Sequence, residues 1–373
     1  MVSPFQTNPK DGKPMTETTF TGKKAALEEV RARMRQQLSK LIPEFEIEYK
    51  AELAYEINQL KSTMNAVILG HNYMEPALFT TVPDYTGDSL ELARRSTQTD
   101  ADIILFCGVQ FMAETAKILN PEKTVLIPSQ KAGCSLAEAI TAEQVRELRA
   151  QYPGVPVVTY VNTYAAVKAE SDYCCTSGNA DKVVRHLMEE GHERIIFLPD
   201  EYLGRNTAAE VGLPFVLPSP AGTPHETEHD VSGPALIGWQ GKCEVHDKFS
   251  VEDVRAIRRQ FPDVAVVAHP ECSPEVVAET DYTGSTKQMI AYVKDVDAPH
   301  YLLLTECTMG DNIAAENPEK EMLRLCSVRC PHMNEITLED TLEGLRKVQY
   351  KIELPQDVIK RARLPIDRML EIV

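Results

Sequence analysis

The sequence predicts an α/β protein in which three related units, each a parallel sheet layered with helices, surround a central cavity. Three observations carry this reading. Short apolar, β-branched runs alternate with stretches of helical periodicity along most of the chain, the pattern of parallel strands joined by crossover helices. That alternation recurs three times with matching residue types. Each repeat then closes on a cysteine, at Cys134, Cys243 and Cys330.

Residues 1–62 precede the repeats. They open with a polar tail (MVSPFQTNPKDGKPMTETTF) and continue over 23–62 as amphipathic helices rich in good helix formers, interrupted near Pro43. The units are expected over 63–148, 149–256 and 257–345. Each begins with a β-branched run ending in a polar triplet: "NAVILGHNY", "VPVVTYVNTY" and "VAVVAHPEC". Roughly 15 to 18 residues later come "GDSLELARRS", "TSGNADKVVRHL" and "GSTKQMIAYV", which predict helices with N-caps at Ser89, Ser177 and the pair Ser285/Thr286. A second apolar run follows ("DIILFCG", "RIIFLPD", "HYLLLTE"), and the closing cysteines stand about 90 to 110 residues apart. Residues 346–373 read as a linker and a short surface helix with Pro355 near its start.

Bulk properties narrow the function. With 373 residues and 43% apolar content the chain has room for two or three domains and a sizeable core. It contains no apolar run near the roughly 18 residues of a membrane span. The first residues lack the apolar segment of a secretory signal, so a cytoplasmic protein is expected. A net charge of −17 argues against non-specific nucleic-acid or membrane partners. It leaves room for an anionic substrate held by N–H groups at helix starts. Nine cysteines in such a context predict reduced thiols rather than a disulfide framework. Cys107, Cys174, Cys175, Cys272 and Cys307 are expected to be core residues.

Open α/β sheets bind ligands beyond the carboxyl ends of their strands. Three units set around a pseudo-threefold axis would aim those ends at one cavity and bring Cys134, Cys243 and Cys330 together. Three such thiols suit zinc with an open position, or an iron–sulfur cluster short of its fourth cysteine; buried core thiols are the plain alternative. The triplets add His71, Asn72, Tyr73, Tyr160, Asn162, His269 and Glu271 at the same ends. Glu271 is the candidate base, with a pKa expected to rise in a water-poor cavity. The expected ligand is small and multiply anionic.

The stretches "GHNY…GDSLELAR", "GVQFMAETAKILNPEKTVLIPSQKAGCSLAE", "YVNTYAAVKAESDYCCTS", "WQGKCEVHDKF", "HPECSPEVV…GSTKQMI" and "CPHMNEITLEDTLEGL" resemble the quinolinate synthase family, in order, from about residue 63 onward. The resemblance implies three pseudo-symmetric three-layer α/β/α domains around a central cavity. It implies a cytoplasmic transferase of de novo NAD (pyridine nucleotide) biosynthesis, which condenses iminoaspartate with dihydroxyacetone phosphate and releases phosphate and two waters to form quinolinate. A [4Fe–4S] cluster held by one cysteine per domain falls on Cys134, Cys243 and Cys330. Substrate-binding positions fall on His71, Ser89, Tyr160, Val161, Asn162, Ser177, His269, Pro270, Glu271 and Thr286. Glu271 and Tyr73 match the proton-moving groups, with His71 and His269 orienting carboxylates. The implied partner is L-aspartate oxidase, in a transient contact that hands over its unstable product. One departure is "CSVRCP": some relatives carry CxxCxxC there, whereas here only Cys326 precedes Cys330, which puts a disulfide switch in doubt. Competing readings are a zinc hydrolase on the same thiolates with Glu271 as base, and a redox sensor that signals through cluster loss.

Overall fold

The structure, a computed structural model, describes residues 17–218, 233–323, 325 and 328–372. Cys326 lies outside the described residues. The described strands form three parallel sheets. The first contains β1 (Ala66–His71), β2 (Tyr85–Gly87), β3 (Ile103–Cys107) and β4 (Thr124–Leu126), in the order β2-β1-β3-β4. The second contains β5 (Val157–Tyr160), β6 (Tyr173–Cys175), β7 (Arg194–Leu198), β8 (Phe215–Val216) and β9 (Ala235–Ile237), in the order β6-β5-β7-β9-β8. The third contains β10 (Val264–Ala268), β11 (Tyr282–Thr283), β12 (His300–Leu304) and β13 (Met322–Leu323), in the order β11-β10-β12-β13. The opening strand of each unit therefore sits between the second and third, and the strand before each closing cysteine takes the fourth place. β8 is an extra edge strand. The central strands β1, β5 and β10 are nearly continuous apolar runs because parallel strands are covered on both faces.

Two local devices recur in all three units. The first is an Asp-Tyr pair at the start of each second strand: Asp84-Tyr85, Asp172-Tyr173 and Asp281-Tyr282. In each, the aspartate Oδ2 accepts the backbone N–H of the opening strand, from Ile68 (2.8 Å), Val157 (2.8 Å) and Val266 (2.7 Å). The aspartate's own N–H donates to the carbonyl of the same residue at 2.9 Å in each unit. A basic residue on the preceding helix pairs with it: Lys61 (2.9 Å), Arg149 (2.7 Å) and Arg258 (3.0 Å). This strap satisfies an N–H at the edge of each ladder and fixes the register of the second strand.

The second device is the cysteine turn. Cys134, Cys243 and Cys330 each stand three residues before a single 3₁₀ turn, at Ala137–Ala139, His246–Lys248 and Met333–Glu335. Their carbonyls accept from the N–H groups of Glu138 (3.1 Å), Asp247 (3.0 Å) and Asn334 (3.1 Å). The next helix is then capped by Thr141, Ser250 or Thr337, whose side chains accept from the third residue of the helix.

The expected caps at the opening helices need correction. Asp88 caps the Ser89–Ser96 helix, its Oδ1 accepting the Glu91 N–H at 2.9 Å, so Ser89 is the first helical residue. Asn179 precedes the Ala180–Glu189 helix, leaving Ser177 three residues before its first residue. Ser285 does cap the Thr286–Asp295 helix, with a reciprocal bond from its N–H to Gln288. The carboxylate is the stronger acceptor at the first site, and this frees the Ser89 hydroxyl.

Before the repeats, helices Glu17–Leu38 and Glu44–Thr63 pack together, broken at Pro43 as expected. The second buries Ile47, Ala51, Ala54 and Ile57, one face of a helix. The C-terminal helix, Gln356–Glu371, is not the short surface helix expected. It buries Ile359, Ala362, Ile366 and Met369 and lies across the first two units. Arg363 donates to the Leu119 carbonyl (3.0 Å) and Arg368 to that of Asp172 (2.8 Å). Its arginines masked the apolar face in the sequence.

Polar ties hold the units together. Asn312 Nδ2 donates to the carbonyls of Asn72 (3.0 Å) and Met74 (2.9 Å), and Ser285 Oγ donates to Asp88 Oδ2 (3.1 Å). Asn206 Nδ2 donates to the carbonyls of Pro270 (2.8 Å) and Cys272 (2.9 Å), and the Ala165 N–H donates to Glu114 Oε2 (2.7 Å). Buried amides and carboxylates in such positions specify one arrangement, since leaving any of them unpaired costs about 1–3 kcal/mol.

Candidate active site

The three sheets contribute to one cavity. It is lined by His71, Tyr73 and Ser89 from the first unit, Tyr160, Asn162 and Ser177 from the second, and His269, Glu271 and Thr286 from the third. Cys134, Cys243 and Cys330 line the same space. Of the expected site residues, Asn72, Val161 and Pro270 are not on its wall; Asn72 Nδ2 donates to the Thr286 hydroxyl (2.9 Å) from behind it. The Val161 N–H donates to the Cys175 carbonyl (2.9 Å) and its carbonyl accepts from the buried Lys168 ammonium (2.8 Å). Pro270 is held through its carbonyl by Asn206, as above.

The histidines repeat a local geometry. His71 Nδ1 accepts the Tyr73 N–H at 3.2 Å, and His269 Nδ1 accepts the Glu271 N–H at 3.4 Å. An Nδ1 that accepts leaves the proton on Nε2, so each ring presents an Nε2–H donor. His269 Nε2 directs it to the Ser177 hydroxyl at 3.1 Å. Burial pushes both His71 and His269 down to about 3, which keeps the rings neutral.

Glu271 is the charged centre of the cavity. Burial works to raise its pKa, as the sequence led one to expect, but its neighbours outweigh burial and hold it below the ordinary carboxylate range. The adjacent His269 ring favours the ionised form, His246 adds a hydrogen bond, and the Tyr160 hydroxyl adds another donor. The distances agree: His246 Nδ1 is 2.7 Å from Glu271 Oε2, and Asn162 Nδ2 donates to Oε1 at 3.2 Å. The expected rise is therefore overturned, because the carboxylate is surrounded by donors rather than by hydrocarbon. Burial drives the Tyr73 and Tyr160 hydroxyls upward, so both stay protonated.

The donor set at the cysteines is suited to a metal. None of the three is in a disulfide. Each sulfur accepts backbone N–H groups from the residues two and three positions on: Leu136 and Ala137, Val245 and His246, His332 and Met333. Such a cradle favours thiolates, yet burial pushes Cys134 up to about 12, Cys330 to about 11, and Cys243 upward as well. Thiols lining one cavity with built-in donors, and no lysine or arginine among the described lining residues, call for a cation to ionise them. Cys243, His246 and Glu271 also place their ligand atoms within 4.8 Å of one another, a second donor set for a single ion.

Asp88 and His246 line the cavity but were not identified as site residues from the sequence. Phe111 and Met112 form an apolar wall. His246 had a signal in the sequence, as it lies three residues after a closing cysteine; Ala137 and Met333 in the equivalent places hid it. No arginine or lysine lies among the described lining residues, so anions must rely on neutral donors and helix starts.

The family described as quinolinate synthetase A protein matches residues 55–371. The chain belongs to the quinolinate synthetase A family. It is 48% identical over 336 residues to quinolinate synthase 2 of Mesorhizobium japonicum, covering 90% of this chain and 96% of the relative. It is 46% identical over 341 residues to the quinolinate synthase of Agrobacterium fabrum, covering 91% and 92%. With the quinolinate synthase of Xylella fastidiosa it shares 48% identity over 316 residues, covering 85% and 86%. The resemblance read from the motifs is thus borne out, and with it the reading of the chain as an enzyme. The family match begins within the second N-terminal helix, ahead of the first repeat, and takes in the last part of that helix.

Proposed function

We propose that this chain makes quinolinate by condensing iminoaspartate with dihydroxyacetone phosphate, releasing phosphate and water, in the cytoplasm and in the service of de novo NAD biosynthesis. The observation that carries the proposal is the meeting of three cysteine turns and three polar triplets on one cavity. We read the three sheets as pseudo-symmetric α/β/α domains about a central axis. Their joins fall at the caps Thr141 and Ser250, because the 148/149 and 256/257 positions interrupt the helices that those residues start.

Cys134, Cys243 and Cys330 would hold a [4Fe–4S] cluster. When bound, such a cluster supplies an iron without a protein ligand, a Lewis acid suited to dehydration. The chain's own groups do the rest. Ser89 and Thr286, in the first turns of their helices, and Ser177 hold the carboxylates and phosphate, where N–H groups stabilise the departing charge. His71 and His269 donate from Nε2 to carboxylates and orient them. Glu271, ionised, takes protons from the carbon skeleton. Tyr73, protonated, gives one to a leaving hydroxyl. The wall at Phe111 and Met112 keeps water from the reactive imine.

A second reading draws on Cys243, His246 and Glu271 as a zinc site of a hydrolase. Anaerobic purification with counts of iron, sulfide and zinc, beside an assay for quinolinate from the two substrates, separates the two. Quinolinate formation with bound iron and sulfide supports the synthase. Zinc alone, without quinolinate, overturns it. Transient contact with L-aspartate oxidase would be read as faster quinolinate formation when that enzyme generates the imine in place.

A further inference from the structure

Lys168 does not line the cavity, yet it is tied to two parts of its wall. It ends the short helix Ala165–Lys168 and is 0% exposed. Its Nζ donates to the Val161 carbonyl at 2.8 Å and to the Thr163 carbonyl. These two acceptors stand on either side of Asn162, whose Nδ2 donates to Glu271 Oε1 at 3.2 Å. An ammonium has three N–H groups, and the carbonyls take two of them. Nζ also lies 5.6 Å from the centroid of the Phe111 ring, whose electron-rich face attracts the cation. Phe111 is a wall residue from the first unit and Asn162 one from the second.

Glu114 completes the arrangement. It follows Phe111 by three residues on the helix Gln110–Leu119 and is 5% exposed. Its Oε2 accepts the Ala165 N–H at 2.7 Å, and its Oε1 accepts from Gln110 Nε2 at 2.9 Å. An anion from the first unit thus holds an N–H of the segment after β5, and a cation from the second holds two of its carbonyls. The hydrogen bonds of Lys168 go to neutral carbonyls rather than to a carboxylate. Burial pulls the ammonium's pKa down, and the negative charge of Glu114 works to raise it. Burying a charge without a contacting counter-ion is costly, and a hydrocarbon side chain would fill the same space without that cost. What hydrocarbon cannot do is fix the direction of the two peptide groups that flank Asn162.

We infer that Lys168 is a positioning residue that holds the Val161 and Thr163 carbonyls from behind the cavity wall and thereby aims the Asn162 amide at Glu271. It touches no reacting atom and acts through Asn162. A base held by a misplaced partner loses its reach to the carbon skeleton, and small misplacements of this kind cost rate rather than ground-state binding. The inference rests on the proposed role of Glu271 as the base.

A residue that acts through another loses its effect when the other is gone. The test is a double-mutant cycle with K168M, N162A and N162A/K168M on the anaerobically purified holoenzyme. It is read as kcat and KM for dihydroxyacetone phosphate, with iron and sulfide counts and far-UV circular dichroism alongside. The expected result is that K168M lowers kcat about tenfold or more, with KM within about threefold and cluster content unchanged. In the N162A background K168M adds less than about twofold. A wild-type kcat in K168M overturns the inference. So does the same factor lost with and without Asn162, because a general effect of the charge or the scaffold would add in full. If K168M does not fold or does not keep its cluster, K168Q takes its place in the cycle, with the same coupling expected. Failure of both variants to fold or to keep the cluster marks Lys168 as a residue of the scaffold and overturns the inference. Should E271Q turn over at the wild-type rate, the proposed chemistry fails, whatever Lys168 does. A defective E271Q beside an unaffected K168M removes only the part given to Lys168.

Discussion

Glu271→Gln separates the chemical role of the carboxylate from its structural one. The substitution keeps the shape of the side chain and leaves one oxygen to accept from His246 or Asn162, which approach at 2.7 and 3.2 Å. It removes the charge. Charge-assisted hydrogen bonds are about twice as strong as neutral ones, so loosening these contacts costs about 1 kcal/mol, a factor of about five. Removing a general base costs about 10²–10⁴ in rate. The base term dominates, and kcat should fall by at least about a hundredfold while iron and sulfide stay at the wild-type count. The assay is quinolinate formation under anaerobic conditions with both substrates saturating. A kcat within about fivefold of wild type is what the loosened contacts alone would produce, and it would remove Glu271 from the proton transfers.

Two further outcomes concern the scaffold and the neutral rings. In Asp281→Ala the buried Val266 N–H loses its acceptor, at a cost of about 1–3 kcal/mol in urea unfolding, whereas Arg258→Ala, which breaks a half-exposed ion pair and donations to the Glu279 (3.0 Å) and Val264 (3.4 Å) carbonyls that water can replace, costs under about 1 kcal/mol. Equal losses would mean that the charge, not the strap, holds the register. His71 and His269 remain neutral in the fold down to about 3, while the unfolded chain takes up protons below about 6.5. Stability of the cluster-free protein is therefore full above that range and falls as the pH drops through it, by about 1.4 kcal/mol per ring at one pH unit below the ordinary histidine value. A denaturation midpoint that does not change across this window would contradict buried neutral rings.

The alternation of apolar runs and helical stretches was enough to foresee three parallel sheets, because strands covered on both faces must be apolar throughout. The closing cysteines and polar triplets stood out because strand ends are where an α/β protein can afford polar residues facing inward. The Asp-Tyr pairs were equally regular in the sequence, yet no side-chain pattern reveals that an aspartate reaches back to a backbone N–H; only the folded register does. Ser89 was mistaken for a cap because Asp88, one residue earlier, competes for the same orphan N–H groups. Glu271 was expected to rise because a water-poor cavity disfavours its charge; of the groups that hold it down, His269 is near in sequence, but His246 and Tyr160 lie in another unit and only the fold brings them to it. His246 went unremarked for the same reason, its partners Thr305 and Glu271 being distant along the chain.

The most direct test of the account is the metal content of single alanine variants purified without oxygen. Wild type and C307A, the latter altering a thiol that donates to the Leu325 carbonyl and does not line the cavity, should each carry about four iron and four sulfide per chain. C134A, C243A and C330A should each lose the cluster and quinolinate formation together. Retention of a full iron and sulfide complement with activity in any one of these three would contradict a cluster shared by the three cysteine turns.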